Sequence, residues 1–220
     1  MTRPNRLCLV TILAVATLFV IRPTNVFTTG PAKAPILLLQ SDDRFGAFAG
    51  EVLRAEGFNE FQSESLDSSD LTAGYLNEFD VVILTETRLK PSQADLLSNY
   101  VRDGGNLIAF RPDKQLAPVF GVSATNSSVA GGYIKIQEDN DIGKGLPSEP
   151  LQFHGDADQY DLKSAHAIAT LCRDSSSSSD NPAVVRYQFG KGHAIMFTYN
   201  LPKSIVLARQ GNYQNAGLEK

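Results

Sequence analysis

Asn106-Leu-Ile-Ala-Phe-Arg-Pro-Asp-Lys-Gln-Leu-Ala-Pro-Val-Phe-Gly121 reads as a buried strand that runs into a sharp turn and a helix, with Arg111 at the turn. Elbows of this kind lift a Ser or Cys above the carboxyl edge of a parallel sheet, where N–H groups at the helix start hold an oxyanion. A guanidinium carries N–H donors and no attacking lone pair. The stretch therefore presents a catalytic architecture without its catalytic atom, which argues against an enzyme.

Working outward, Tyr100-Val-Arg-Asp-Gly-Gly105 ends a helix that begins at Pro91, with Leu96, Leu97, Tyr100 and Val101 on one face and the glycine pair as its stop. Before it, Pro35-Ile-Leu-Leu-Leu-Gln40 and Asp80-Val-Val-Ile-Leu-Thr85 are continuous apolar runs of strand length, as expected of strands covered on both faces. Between these runs lie a helix over Phe45 to Glu56 stopped by Gly57, a strand within Phe58 to Leu66, and a short helix from Leu71 to Phe79. After Gly121 the pattern changes. Ser123 to Gly132 is small and polar, and Tyr133 to Gln137 alternates like a half-exposed strand. Leu151 to His154, Ala165 to Leu171, Ala183 to Phe189 and His193 to Tyr199 read as further strands, the last two forming a hairpin through Gly190-Lys-Gly192. The fold class expected is α/β, a doubly wound, mostly parallel sheet with a C-terminal β-hairpin extension.

The chain has 220 residues, 42% of them hydrophobic, and a formal net charge of -4. That is enough for one substantial core. An acidic balance without a Lys/Arg stripe gives no reason to expect nucleic acid, and leaves a small molecule, a glycan or a protein as partner. Arg3 and Arg6 precede an apolar run from Leu7 to Ile21, which is how a signal peptide or an uncleaved signal anchor looks, a buried strand being the other reading. Export is therefore expected, with contact to a membrane only through this segment if it is retained. Of the 2 cysteines, Cys8 lies in the apolar run, and Cys172 then stands alone in the remainder without an internal disulfide partner. The domains expected are 1–34 as signal or anchor plus connector, 35–201 as the α/β domain, and 202–220 as a tail. The serine run Ser175 to Ser179 reads as a loop inside the domain. The polar end from Gln210 to Lys220 suits a short protein or a piece of a longer one equally.

The elbow resembles that of the class I glutamine amidotransferase-like superfamily, a flavodoxin-like α/β group that also includes trehalose-utilisation-type domains and the trimerisation domain of some β-galactosidases. Arg111 stands in the Cys slot, Asp113 in a Gly slot, Gln115 matches the family's Gln, and Phe120-Gly121 match its closing pair. Asn140-Asp-Ile-Gly-Lys-Gly-Leu-Pro147 is similar to a turn of that family, and Phe189-Gly-Lys-Gly-His-Ala-Ile-Met196 to its Gly-Lys-Gly-Arg hairpin. The resemblance spans Pro35 to Leu201. It implies the architecture, and the replaced Cys implies an exported, non-catalytic binding or interaction module, a pseudoenzyme with a carbohydrate or cell-surface association. Cys172 lies too far downstream to replace the thiolate.

Few residues are left for chemistry. His154 with Asp156 or Asp158 echoes a base oriented by a carboxylate, and carries the alternative reading of a hydrolase of atypical mechanism, metal assisted or not. His154, Asp156, Asp158 and Asp161 have the ligand types of a hard-cation site, but their spacing matches no calcium loop, so they read as a solvated acidic turn and no metal or cofactor is assigned. Asp42-Asp43 follows the first strand at the edge where open α/β folds bind ligands, and caps the next helix equally well. Arg111 suits a ligand's carboxylate, phosphate or hydroxyl, or a salt bridge to Asp113 or Asp43. Arg111, Asp113, Asp42 and Asp43 are thus the candidate ligand-binding residues. His166 and His193 read as packing or surface residues, and Asn126-Ser-Ser128 is a glycosylation sequon.

Overall fold

The computed structural model describes residues 34–40, 44–137, 145–173 and 181–210. The Leu7–Ile21 run, Cys8, Asp42, Asp43, most of the 140–147 turn, the serine run and the end of the chain lie outside the described residues.

The two apolar runs form strands β1 (Ile36–Gln40) and β3 (Val81–Leu84), joined through helix α1 (Arg44–Ala55), strand β2 (Phe61–Ser65) and the short helix α2 (Ala73–Leu76). Helix α3 (Pro91–Asp103) leads to β4 (Asn106–Phe110). Strand alternation explains why these runs are apolar throughout. Leu37 and Leu39 face a core shared with Leu97, Tyr100 and Val101 of α3, while Leu38 faces Ala49 and Leu53 of α1. Burying each such leucine stabilises the fold by about 1.5–3 kcal/mol, so both faces of β1 are committed to packing.

The chain then makes a 3-10 helix (Lys114–Phe120) and strands β5 (Val122–Ile136), β6 (Leu151–Leu162), β7 (His166–Cys172), β8 (Pro182–Phe189) and β9 (Gly192–Phe197), followed by helix α4 (Leu201–Gln210). Among the described residues the strands form one sheet in the order β2-β1-β3-β4-β9-β8-β7-β5-β6. The pairings from β2 to β9 are parallel and those from β9 to β6 antiparallel.

This corrects the expected doubly wound, mostly parallel, flavodoxin-like sheet. Among the described residues no helix separates the strands from β5 to β9, and strands that follow one another in sequence pair in parallel only across a crossover. Nor is the β8–β9 hairpin an extension: β9 lies beside β4 in the middle of the sheet. Ser123–Gly132, polar and small, belongs to the fifteen-residue strand β5 and not to a break in the pattern. His154 to Asp161 lies within β6 and not in an acidic turn.

The β5–β6 ladder carries register shifts between Ala124/Ser128 and Ala130/Gly132, and bulges of this sort bend a strand. The bend brings β6 back over the end of β9, where Ala157 bridges Tyr199 and the Asp158 N–H donates to the Thr198 carbonyl at 2.9 Å. The far strand of the antiparallel half thereby meets the carboxyl edge of the parallel half.

Candidate functional site

Four chain segments end at that edge. Thr85, buried after β3, donates through its N–H and its hydroxyl to the Leu39 carbonyl at 3.1 and 3.3 Å, and this fixes the position of Glu86. Arg111 follows β4 directly, and its N–H donates to the Phe197 carbonyl at 2.8 Å. Among the described residues it is the one non-glycine residue with positive φ, at 43°. That left-handed conformation costs a branched or long side chain of order 1 kcal/mol or more, and it persists where its surroundings over-determine it. Asn200 caps α4 by accepting from the Lys203 N–H at 2.9 Å, and Asp158 comes from β6.

The guanidinium gathers these elements. Its Nη1 donates to Glu86 Oε1 at 2.9 Å and lies 3.6 Å from Asp156 Oδ2, and its Nη2 donates to Asp158 Oδ1 at 3.2 Å. The other oxygen of Glu86 accepts from Asn200 Nδ2 at 2.8 Å. Burial works against the Arg111 charge, but the hydrogen bond and charge of Asp158, with the charges of Glu86 and Asp156, outweigh it and hold its pKa above the ordinary arginine value. The side chains of Arg111 and Asp158 are 20% and 15% exposed, so the pair is screened far less than a surface salt bridge.

The cluster forms one wall of a cleft of about 800 Å³, lined also by Phe45, Thr87, Arg88, Pro112, Asp113, Lys114 and Lys203. That volume is in the range of small-molecule sites. Lys203 Nζ sits 5.3 Å from the centre of the Phe45 ring, and Lys114 Nζ donates to the Thr125 carbonyl at 2.8 Å. The wall therefore offers carboxylate acceptors, cationic donors and an aromatic face to one ligand.

The sequence-derived residues fare differently. Arg111, Asp113 and Asp158 line the cleft, and Asp156 lies beside Arg111. Of the expected salt bridges from Arg111, the one to Asp113 is corrected, since its partners among the described residues are Glu86, Asp158 and Asp156, and the one to Asp43 lies outside the described residues. Asp113 instead caps the 3-10 helix, its two oxygens accepting from the Gln115 and Leu89 N–H groups at 2.9 and 3.1 Å. The Gln115 N–H at this helix start is thus already used. His154 is absent from the cleft lining, and its backbone N–H donates to Ser204 Oγ at 3.1 Å. Cys172 is buried in β7 opposite Tyr133, as the strand reading of its segment requires. Among the described residues no three His, Cys, Asp or Glu side chains are grouped to hold a metal. Glu86, Asn200 and Lys203 were not legible as site residues, although Glu86 stands just past an apolar strand, which is where an open α/β sheet binds its ligand.

No family model matches the chain, and no curated protein aligns with it. Its fold is found in solved structures. A β-galactosidase from Bacillus circulans sp. alkalophilus superposes with a TM-score of 0.59 at 15% identity, over 81% of this chain and 31% of that one. An exo-β-1,4-mannosidase from an Opitutaceae bacterium superposes with a TM-score of 0.55 at 16% identity, over 76% and 28%. A cytoplasmic protein from Salmonella typhimurium LT2 gives 0.57 at 14%, over 75% and 87%. The chain thus spans less than a third of the length of these two glycosidases, and the likeness is one of fold.

Two expectations are corrected by these comparisons. The assignment to the class I glutamine amidotransferase-like superfamily gives way to a fold shared with part of β-galactosidase and mannosidase structures. A missing thiolate excludes only thiolate chemistry, so neither the exclusion of an enzyme nor the pseudoenzyme expectation holds. Glycoside hydrolysis generally runs on carboxyl groups, so Arg111 in the Cys slot says nothing against it.

Proposed function

We propose that this chain is part of a carbohydrate-acting hydrolase and that the cleft around Arg111 takes the sugar. Glycoside hydrolysis needs two carboxyl groups, one to protonate the leaving oxygen and one to attack or to activate water. Glu86 and Asp158 are the pair assigned here, held on the two terminal nitrogens of one guanidinium. The convergence of these two carboxyl groups in one cleft of sugar-binding size is the observation that carries the reading. It keeps hydrolysis with Asp158 as an acting carboxylate, and replaces His154 by Glu86 as the second group. Arg111 and Asn200 orient the carboxylates, while Phe45 and Lys203 offer an apolar face and a hydroxyl donor.

The test is hydrolysis of a panel of 4-nitrophenyl glycosides, β-galactoside and β-mannoside first. The intact chain is expected to release nitrophenol from at least one of them, and Glu86→Gln and Asp158→Asn each to lower kcat at least about 100-fold, the scale of losing a positioned acid or base. Turnover that survives both substitutions would exclude the assignment.

A further inference from the structure

A second cavity opens near the start of β9, about 13 Å from its far end at ~3.3 Å per residue. It measures about 440 Å³ and is lined by Ser164, His166, Arg186, Tyr187, Gln188 and His193. Sheet register explains why its donors converge. His166 pairs with Arg186 and Gln188 with His193, and Arg186 and Gln188 are two apart on β8, so all four residues share one face of the sheet. Two residues further along each strand, the same face becomes apolar with Ile168, Val184 and Ile195. The apolar half is covered. The polar half is open, with His166, Arg186 and His193 all exposed.

The charge pattern singles this cavity out. Among the described residues no Asp or Glu lines it, and neither Arg186 nor either histidine side chain has a carboxylate partner. In the Arg111 cleft, by contrast, three carboxylates meet a single guanidinium. A solvated sheet face normally mixes both signs. Here a planar fork of donors, two imidazoles, a hydroxyl and an amide surround one concavity, which is the equipment for a small oxyanion held bidentately.

We propose that this cavity is a second binding site, for an anionic small molecule bearing a carboxylate or a phosphate, with Arg186 as its principal contact and His166 and His193 flanking it. The inference is independent of the sugar cleft, with which it shares no lining residue.

The experiment is titration of the 15N-labelled chain with sodium phosphate and, separately, with sodium glucuronate, at an ionic strength held constant with chloride. Backbone amides of β8 and β9 report occupancy. Saturable shifts confined to residues around 164–166 and 186–193 are expected for at least one probe, and the tighter probe tells which oxyanion is the ligand. Arg186→Gln should weaken binding at least tenfold, His193→Gln severalfold, and Arg54→Gln, exposed on α1 and outside both cavities, not at all. Arg186→Lys, which keeps the charge and loses the fork, should recover only part of the affinity. No saturable shift with either probe, or an affinity unchanged in a folded Arg186→Gln chain, overturns the proposal.

Discussion

Thr198 shows how one atom can betray the local bargain at the cleft. It is fully buried, its carbonyl accepts from the Asp158 N–H, and among the described residues its Oγ1 has no hydrogen-bond partner. A buried hydroxyl without a partner costs about 1–3 kcal/mol of desolvation, whereas an apolar group of nearly the same shape does not. Thr198→Val is therefore expected to raise stability by about 1 kcal/mol, measured as a higher urea midpoint at unchanged m-value. Equal or lower stability would mean that the hydroxyl is satisfied. Arg111 illustrates the opposite limit. Its identity and its place at the sheet edge were legible, because an apolar strand followed by a turn puts the next residue there. Its partners were not, because Asp156 and Asp158 reach it only through the bulges that bend β5 and β6. No local spacing rule encodes a contact between residues 47 positions apart.

At the scale of elements, the glycines of the β8–β9 turn are explained by contact as much as by backbone freedom. Gly192 has an ordinary φ, yet a Cβ there would collide with the carbonyl oxygens of Gly105 and Val101, where the α3 end passes over β9. Gly105 is similarly closed off by the Tyr100 ring. The two glycine pairs that sequence reading treated as a helix stop and a hairpin turn are thus the two sides of one close approach. Gly192→Ala should cost about 2–3 kcal/mol through overpacking, read as a lower midpoint in chemical denaturation, and a loss below 0.5 kcal/mol would refute the contact. Helix α3 and strands β1, β3 and β4 were legible because periodicity and capping agree there. Of β5 only the end from Tyr133 was legible, since Ser123 to Gly132 buries few of its side chains and its stability lies in backbone pairing with β6.

For the molecule as a whole, three buried tyrosines set its response to alkali. Burial raises the pKa of Tyr100, Tyr160 and Tyr199 above the ordinary 10.0, with nearby carboxylates adding to it at Tyr160 (Asp158) and Tyr100 (Asp80). Below pH 10 each is neutral whether the chain is folded or not, and the stability they contribute is fully present. Above it the unfolded chain ionises while the folded chain resists, so stability is lost as pH climbs toward the folded values. A melting temperature level from pH 7 to 9 and falling beyond 10 is expected, with the fall shallower in Tyr160→Phe. An equal fall in both chains would contradict this. Strands β1, β3 and β4 were legible from their apolar runs, while the later strands were expected to append a hairpin to a mostly parallel sheet and instead complete it as an antiparallel half, with β9 beside β4. That half is what turns a sheet edge into a cleft, since it delivers Asp158 and the Ala157–Tyr199 bridge. The claim that this cleft takes a sugar is tested most directly by calorimetric titration of galactose and mannose disaccharides into the intact chain and into Arg111→Gln. Saturable heat from at least one sugar, weakened at least tenfold by the substitution, is the result expected. Identical titrations of the two chains, or no heat from any sugar, would contradict it.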